Sequence, residues 1–288
     1  APAEDTAGGT GNDTYNAFLV NDGTAVAAAG STLQTSDLIN AGAGTDTLAV
    51  TVTGGAGALA QALPVSSGLE KVSVRNVATG SVTLDATLAA GLTEVGNTAS
   101  TAAVAFTNVG SNTTVRVADS SAGTTVTFAD KVFQAGGTAS ISVKNAGTST
   151  TDATITLGTA ATAGTATTLA IAAEGKNFIN LAAGANNVAA ANGIKTITVS
   201  GSGTVDLDAT AALVATTLAA DVTKLDASAN TGGVTATVSN TKVAVTGGSG
   251  ADVITVGGAL VEGASINLGA GNDSLLQTGA GAIGSKVT

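Results

Sequence analysis

The 288-residue chain has no Cys, His, Met or Trp, one Tyr and five Phe, and its twenty acidic against ten basic residues give a formal charge of −10. Without thiol or imidazole there is no base titrating near neutrality and no soft zinc ligand, which excludes most nucleophilic and zinc-dependent catalysis. The negative balance disfavours nucleic acid and anionic bilayers and makes divalent cations the natural counter-partners.

Hydrophobic residues make up 44% of the chain, mostly as Ala and Val, beside 39 Gly and abundant Thr and Ser. Side chains this small cannot fill a broad interior, but they fill the narrow bore of a stacked β-coil, whose core grows coil by coil. No continuous apolar stretch reaches membrane-spanning length, and Ala1-Pro2-Ala3-Glu4-Asp5 shows neither the basic nor the apolar part of a secretion signal.

From the N-terminus, Gly8-Gly9-Thr10-Gly11-Asn12-Asp13-Thr14-Tyr15-Asn16 matches the nonapeptide G-G-x-G-x-D-x-U-x, with U a large apolar residue. Ala41-Gly42-Ala43-Gly44-Thr45-Asp46-Thr47-Leu48-Ala49 lacks only the first Gly. The two Asp are 33 residues apart, so stacking them requires an inserted loop, predicted around Gly23 to Gly30.

A different repeat follows. Gly68-Leu69-Glu70-Lys71-Val72-Ser73-Val74 recurs as Gly91-Leu92-Thr93-Glu94-Val95, as Gly193-Ile194-Lys195-Thr196-Ile197-Thr198-Val199 and more loosely from Asp221 to Asp226, each an apolar-x-x-apolar corner. Leu69 and Leu92 are 23 residues apart and Ile194 and Val222 are 28 apart, lengths that suit a β-helical coil with variable loops. Between corners, runs such as Val82–Asp85, Thr114–Val117, Thr125–Phe128, Ile141–Lys144, Thr154–Leu157, Val205–Leu207 and Val234–Val238 alternate with a period of two, which predicts strands with β-branched residues inward. Asn97, Gly110, Asn145-Ala146-Gly147 and Gly201-Ser202-Gly203 read as turns, while Ala86–Ala90 and Ala209–Ala220 could form short helices. A degenerate turn, Leu181 to Val188, has Asn186 in place of the Asp. Asp206 and Asp208 read as a solvated strand face, Lys71, Arg75, Lys131 and Lys144 are too sparse for a polyanion groove, and Phe106, Phe128, Phe133 and Phe178 read as core plugs or coil caps.

The C-terminal region returns to the nonapeptide. Gly247-Gly248-Ser249-Gly250-Ala251-Asp252-Val253-Ile254-Thr255 is complete and Leu268-Gly269-Ala270-Gly271-Asn272-Asp273-Ser274-Leu275-Leu276 nearly so. Asp252 and Asp273 are 21 residues apart, close to one coil, which makes this pair the best candidate site. Calcium takes six to eight hard oxygens, and glycine turns let backbone carbonyls converge without a Cβ in the way while the Asp adds charge. A competing reading is that each Asp merely caps its own turn through local hydrogen bonds, but four copies favour calcium. The expected ligating turns are Gly8, Gly9, Gly11 and Asp13; Gly42, Gly44 and Asp46; Gly247, Gly248, Gly250 and Asp252; and Gly269, Gly271 and Asp273.

The predicted fold is therefore all-β, an elongated parallel β-helix or β-solenoid with Gly-rich calcium-binding turns near both ends, divided as end coils 1–49, an Ala/Thr/Val-rich body 50–240 and end coils 241–288. An antiparallel sandwich, the alternative, is expected to use larger core residues.

With these motifs the chain resembles the repeats-in-toxin (RTX) surface-layer proteins of Gram-negative bacteria, the Caulobacter type among them, and related large exported adhesins. The nonapeptides carry the resemblance at the two ends and composition carries it between them. The resemblance implies an RTX β-roll with ions between stacked turns, type I secretion, folding outside the cell on meeting calcium, and self-assembly at the bacterial surface as a homo-oligomer or lattice, with a cell-surface polysaccharide as a further partner. The expected function is that of a calcium-dependent structural protein. The alternative is a calcium-binding stalk of a secreted adhesin or effector, and a polysaccharide-processing enzyme is disfavoured because organised acid–base residues and aromatic platforms are missing.

Overall fold

The structure, a computed structural model, describes residues 6–24, 27–110, 112–129, 137–159, 166–183, 194–207, 221–278 and 286–287. Among them every regular element is a strand, and strands adjacent in a sheet pair in parallel. A 12-stranded sheet, the first face, runs from Thr14–Asn21 to Lys286–Val287, and a 10-stranded sheet, the second face, runs from Leu59–Ala62 to Ser274–Gln277. From Lys71 onward successive strands alternate between the two faces, which is the topology of a parallel β-solenoid. At about 4.8 Å per strand the first face extends roughly 50 Å along the stack. Pairing continues without a break through residue 50 and past residue 240.

Alternation explains the bore. Thr47–Gly54 turns Leu48, Val50 and Val52 inward and Thr51 and Thr53 outward. Register then stacks like on like: Leu48 pairs with Val72, Val72 with Val95, Val95 with Val115, Val115 with Ile141, Ile141 with Ile171 and Ile171 with Val199. Every member of that ladder is buried, each contributing on the order of 1.5–3 kcal/mol of apolar burial. Tyr15 pairs with Leu48 and tops the ladder at the N-terminal end.

The apolar-x-x-apolar corners are borne out, since Leu69, Ile194 and Val222 are buried just ahead of first-face strands and Leu92 packs against the core. Phe106 and Phe128 are core residues as expected, whereas Phe178 lies on the outward side of its strand and is only half-buried. Ala86–Ala90 forms a turn rather than a helix, and Ala89 makes an isolated parallel bridge to Ser66. Leu181 lies within the second-face strand Lys176–Ala183, opposite Ile155, and the rest of the predicted degenerate turn, from residue 184, lies outside the described residues. Lys131, Phe133, Asn186, Asp208 and the Ala209–Ala220 stretch lie outside the described residues.

Two features were not expected. The first coils carry a third, 3-stranded sheet made of Thr6–Ala7, Leu38–Asn40 and Val65–Ser67. The residues inserted after Asn21 also fold back along the end strand of the first face. Ala28 N donates to Val20 O at 2.9 Å, Thr32 N to Phe18 O at 2.9 Å, and Phe18 N and Val20 N donate to Thr32 Oγ1 and Ser31 Oγ at 2.8 and 2.9 Å. This strap satisfies groups that would otherwise form an open sheet edge, and Leu33, 2% exposed, pins it to the core.

Candidate functional site

The four glycine turns form two stacked pairs on different corners of the coil. Gly8 to Asp13 and Gly42 to Asp46 lead from the third sheet into the first face, whereas Gly247 to Asp252 and Gly269 to Asp273 lead from the first face into the second. The structure brings each pair into register and keeps the two pairs apart. Thr14 pairs with Thr47 and Val253 with Ser274, so Asp13 sits over Asp46 and Asp252 over Asp273. The N-terminal pairing across 33 residues is thus as regular as the C-terminal one across 21.

Backbone contacts between turns repeat in both pairs. Ala43 N donates to Gly9 O at 3.0 Å, and Ala270 N donates to Gly248 O at 2.9 Å. Gly42 and Gly269 have φ of 91° and 83°, and a Cβ on either would overlap the carbonyl oxygen of Gly9 or Gly248 one coil away. Gly11 and Gly44 stack in the same way, as do Gly250 and Gly271. The first glycine of each complete motif is approached closely by oxygens: a Cβ on Gly8 would overlap Ala41 O and Tyr15 Oη, and one on Gly247 would overlap Leu268 O and Asp252 Oδ2.

The aspartates both cap and staple. Asp13 Oδ2 accepts from Gly9 N at 3.0 Å and Asp252 Oδ2 from Gly248 N at 2.9 Å, each within its own turn. Between coils, Asp13 N donates to Asp46 Oδ1 at 2.6 Å and Asp252 N to Asp273 Oδ1 at 2.9 Å. Asp252 Oδ1 accepts from Val234 N at 2.7 Å. Burial, with a smaller contribution from the charge of Asp273, raises the Asp252 carboxyl above its ordinary range despite the two amides it accepts.

The N-terminal column continues to a third carboxylate that motif reading passed over. Glu70 Oε2 accepts from Asp46 N at 2.8 Å, so Asp13, Asp46 and Glu70 follow one another down consecutive coils. Aligning strand starts at Thr14, Thr47 and Lys71 would have revealed it, because each acid immediately precedes its strand. Asp46 is 0% exposed and its Oδ2 is buried without a partner, as is Tyr15 Oη. Burial first, and then the charges of Asp13 and Asp46, push the Tyr15 phenol above its ordinary range.

Buried Asn side chains are a second class whose role motif reading did not show. Asn76 Nδ2 donates to Gly80 O and Ala103 O, both at 2.9 Å, and Asn230 Nδ2 to Gly203 O at 3.0 Å, while Asn230 Oδ1 accepts from Gly233 N at 2.7 Å. They satisfy turn backbone that stacking removes from water.

The donors fit a hard cation. Each carboxylate oxygen of Asp252 accepts one amide and keeps further acceptor capacity, and Asp46 Oδ2 keeps all of its own. Among the described residues no three acidic side chains converge as a cage, so any ion here must draw on backbone carbonyls as well as carboxylates. None of the described residues forms a helix long and apolar enough to cross a membrane. Comparison with models of known families, with curated proteins and with solved structures finds no match.

Proposed function

We propose that this chain is an extracellular, calcium-dependent structural protein, a subunit or segment of a bacterial surface layer or fibre. The observation carrying the reading is the in-register stacking of Gly/Asp turns at both ends of one continuous parallel solenoid. Carbonyls of the stacked glycines and the carboxylates of Asp13, Asp46, Asp252 and Asp273 would hold the ion, which supplies charge neutralisation and cross-coil linkage rather than chemistry on a substrate. A Gly- and Thr-rich polyanion loses much conformational entropy on folding, and ligand binding to the folded coils alone offsets part of that loss where calcium is plentiful.

A calcium-binding stalk of a secreted adhesin is the second reading. It is favoured by the strap, which covers one sheet edge at the N-terminal end and so opposes end-to-end addition there.

Calorimetric titration of metal-free protein, followed by electron microscopy with calcium, tests both. Binding in the micromolar to millimolar range with ordered sheets or filaments supports assembly, and binding with dispersed rods supports the stalk. Absence of calcium heat would remove both.

A further inference from the structure

Two of the buried oxygens without a partner among the described residues, Tyr15 Oη and Asp46 Oδ2, lie in the first two coils, and the nonapeptide pattern does not explain them. In that pattern Tyr15 is simply the large apolar residue that opens the strand. Its ring does pack against the core, but its hydroxyl is buried with no partner and, together with Ala41 O, lies close against Gly8 where a Cβ would not fit. Asp46 contributes a second orphan, Oδ2, on a side chain with no solvent exposure, while its Oδ1 is committed to Asp13 N. Among the described residues the ion pairs of the chain involve Lys144, Lys195 and Lys224, so neither Asp13 nor Asp46 is neutralised by a basic side chain. A buried carboxylate with a free oxygen and no countercharge is costly unless something cationic or hydrogen-bonding completes it.

We propose that the ion at the N-terminal pair is ligated directly by Tyr15 Oη and Asp46 Oδ2, with Ala41 O beside them, in an enclosed position inside the first two coils. The inference rests on the calcium reading of the turns and goes beyond it by naming a phenol ligand and an interior location. The C-terminal pair lacks the equivalent. Ile254 occupies the position of Tyr15, and Asp273, at the position of Asp46, is only half-buried and leaves no oxygen buried without a partner. The N-terminal position should therefore bind more tightly and respond to different substitutions.

Tyr15 also supplies the test, because the chain has no Trp and no other Tyr. Terbium bound beside a tyrosine emits when the phenol is excited. Full-length protein with Asp252→Asn and Asp273→Asn should keep terbium emission that calcium displaces, and adding Asp46→Asn should abolish it while Tyr15 remains. Emission alone reports proximity, so affinity decides ligation. In the same background Tyr15→Phe, which preserves the ring packing, should weaken calcium binding by calorimetry at least about tenfold, as losing a ligand or its support does.

Calcium heat with unchanged affinity in Tyr15→Phe, and no change of Tyr15 emission on calcium addition, would overturn the inference while leaving the calcium reading intact. Absence of calcium heat in every variant, wild type included, would take both down. Should Asp46→Asn fail to fold by circular dichroism, the Tyr15→Phe affinity alone decides.

Discussion

Two turn pairs with almost the same sequence do different structural work in this solenoid. At the N-terminal pair the turns are entered from a third sheet, a strap covers the adjacent sheet edge, and a third carboxylate, Glu70, extends the column. At the C-terminal pair the turns are entered from the long first face, and Asp252 is held by amides on both oxygens, one of them from Val234 in the preceding coil. The nonapeptide thus specifies a turn that stacks on its own kind, and the strand entering it decides which corner it occupies. Conclusions drawn at one pair do not transfer to the other.

Removing the strap's anchor is expected to have the largest effect. Leu33→Ala deletes a buried side chain from an irregular segment, and such truncations cost about 2–5 kcal/mol. Coils of a solenoid contact only their neighbours, so hydrogen exchange should rise over Phe18–Val20 while the strand Val253–Val256 is unaffected. The bared edge should also raise self-association in sedimentation. Equal loosening at both ends would mean that the ends are coupled and the comparison fails.

Gly42→Ala and Gly269→Ala form the next test. Each puts a Cβ at a left-handed φ and against a carbonyl one coil away, a combined cost of about 2–4 kcal/mol. Both should separate the turns they join and weaken calcium binding at their own pair only. A Gly42→Ala variant whose calcorimetric profile lost binding at Asp252 as well would merge the two pairs into one unit.

How much of this was legible beforehand divides along physical lines. Period-two alternation and the apolar-x-x-apolar corner mark strands and coil boundaries because each coil must present small apolar residues to one bore, so Leu69, Ile194 and Val222 could be placed from residue order alone. The third sheet was not legible, since a 3-residue strand such as Leu38–Asn40 carries too little alternation to register. Neither was the strap, whose Ser31 and Thr32 act through hydroxyls on another segment's backbone. Asn97 reads as a turn because Asn usually marks turns, yet it lies within the strand Glu94–Thr98, and like Asn76 and Asn230, which end their strands, it is buried by stacking that residue order does not show. The motif glycines and aspartates fall in stacked turns, but which corner they occupy is a property of the neighbouring strands.

Acidity should separate the C-terminal pair from the body of the solenoid. The Asp252 carboxyl is raised by burial, so its ionised form is disfavoured in the folded state; its contribution is full below the unfolded carboxylate range and lost as pH rises through the raised value. Without calcium, Val253–Val256 should therefore become more protected from exchange as pH falls from neutrality, and Asp252→Asn should flatten that dependence. Calcium requires the ionised form and should reverse the slope. Asp226 goes the other way. The Ser228 hydroxyl and then Lys224 lower it from 3.8 to about 2, so its contribution is present above 3.8 and lost as pH falls toward 2. Parallel pH profiles at the two strands would contradict this assignment.

The smallest effect is expected midway between the pairs, where calcium should not matter. Thr98 pairs with Ala118, Ala118 with Lys144 and Lys144 with Glu174, so the residues after them, Ala99, Asp119, Asn145 and Gly175, fall in one column, and all four have positive φ. Asp119 and Asn145 offset the left-handed conformation by bonding each other, Asn145 Nδ2 donating to Asp119 Oδ1 at 2.9 Å. Ala99, at φ 49° and exposed, has no such compensation. Replacing it with Gly removes a steric cost of about 1–2 kcal/mol. The greater freedom of Gly in the unfolded chain returns about 0.4–1 kcal/mol of that. Ala99→Gly should therefore stabilise the protein by about 0.5–1 kcal/mol in urea denaturation, equally with calcium and with chelator, because its coil belongs to neither turn pair. A gain seen only with calcium would mean that the ions at the ends are felt through the whole stack, and the two pairs would then have to be treated as one cooperative system rather than as separate sites on separate corners.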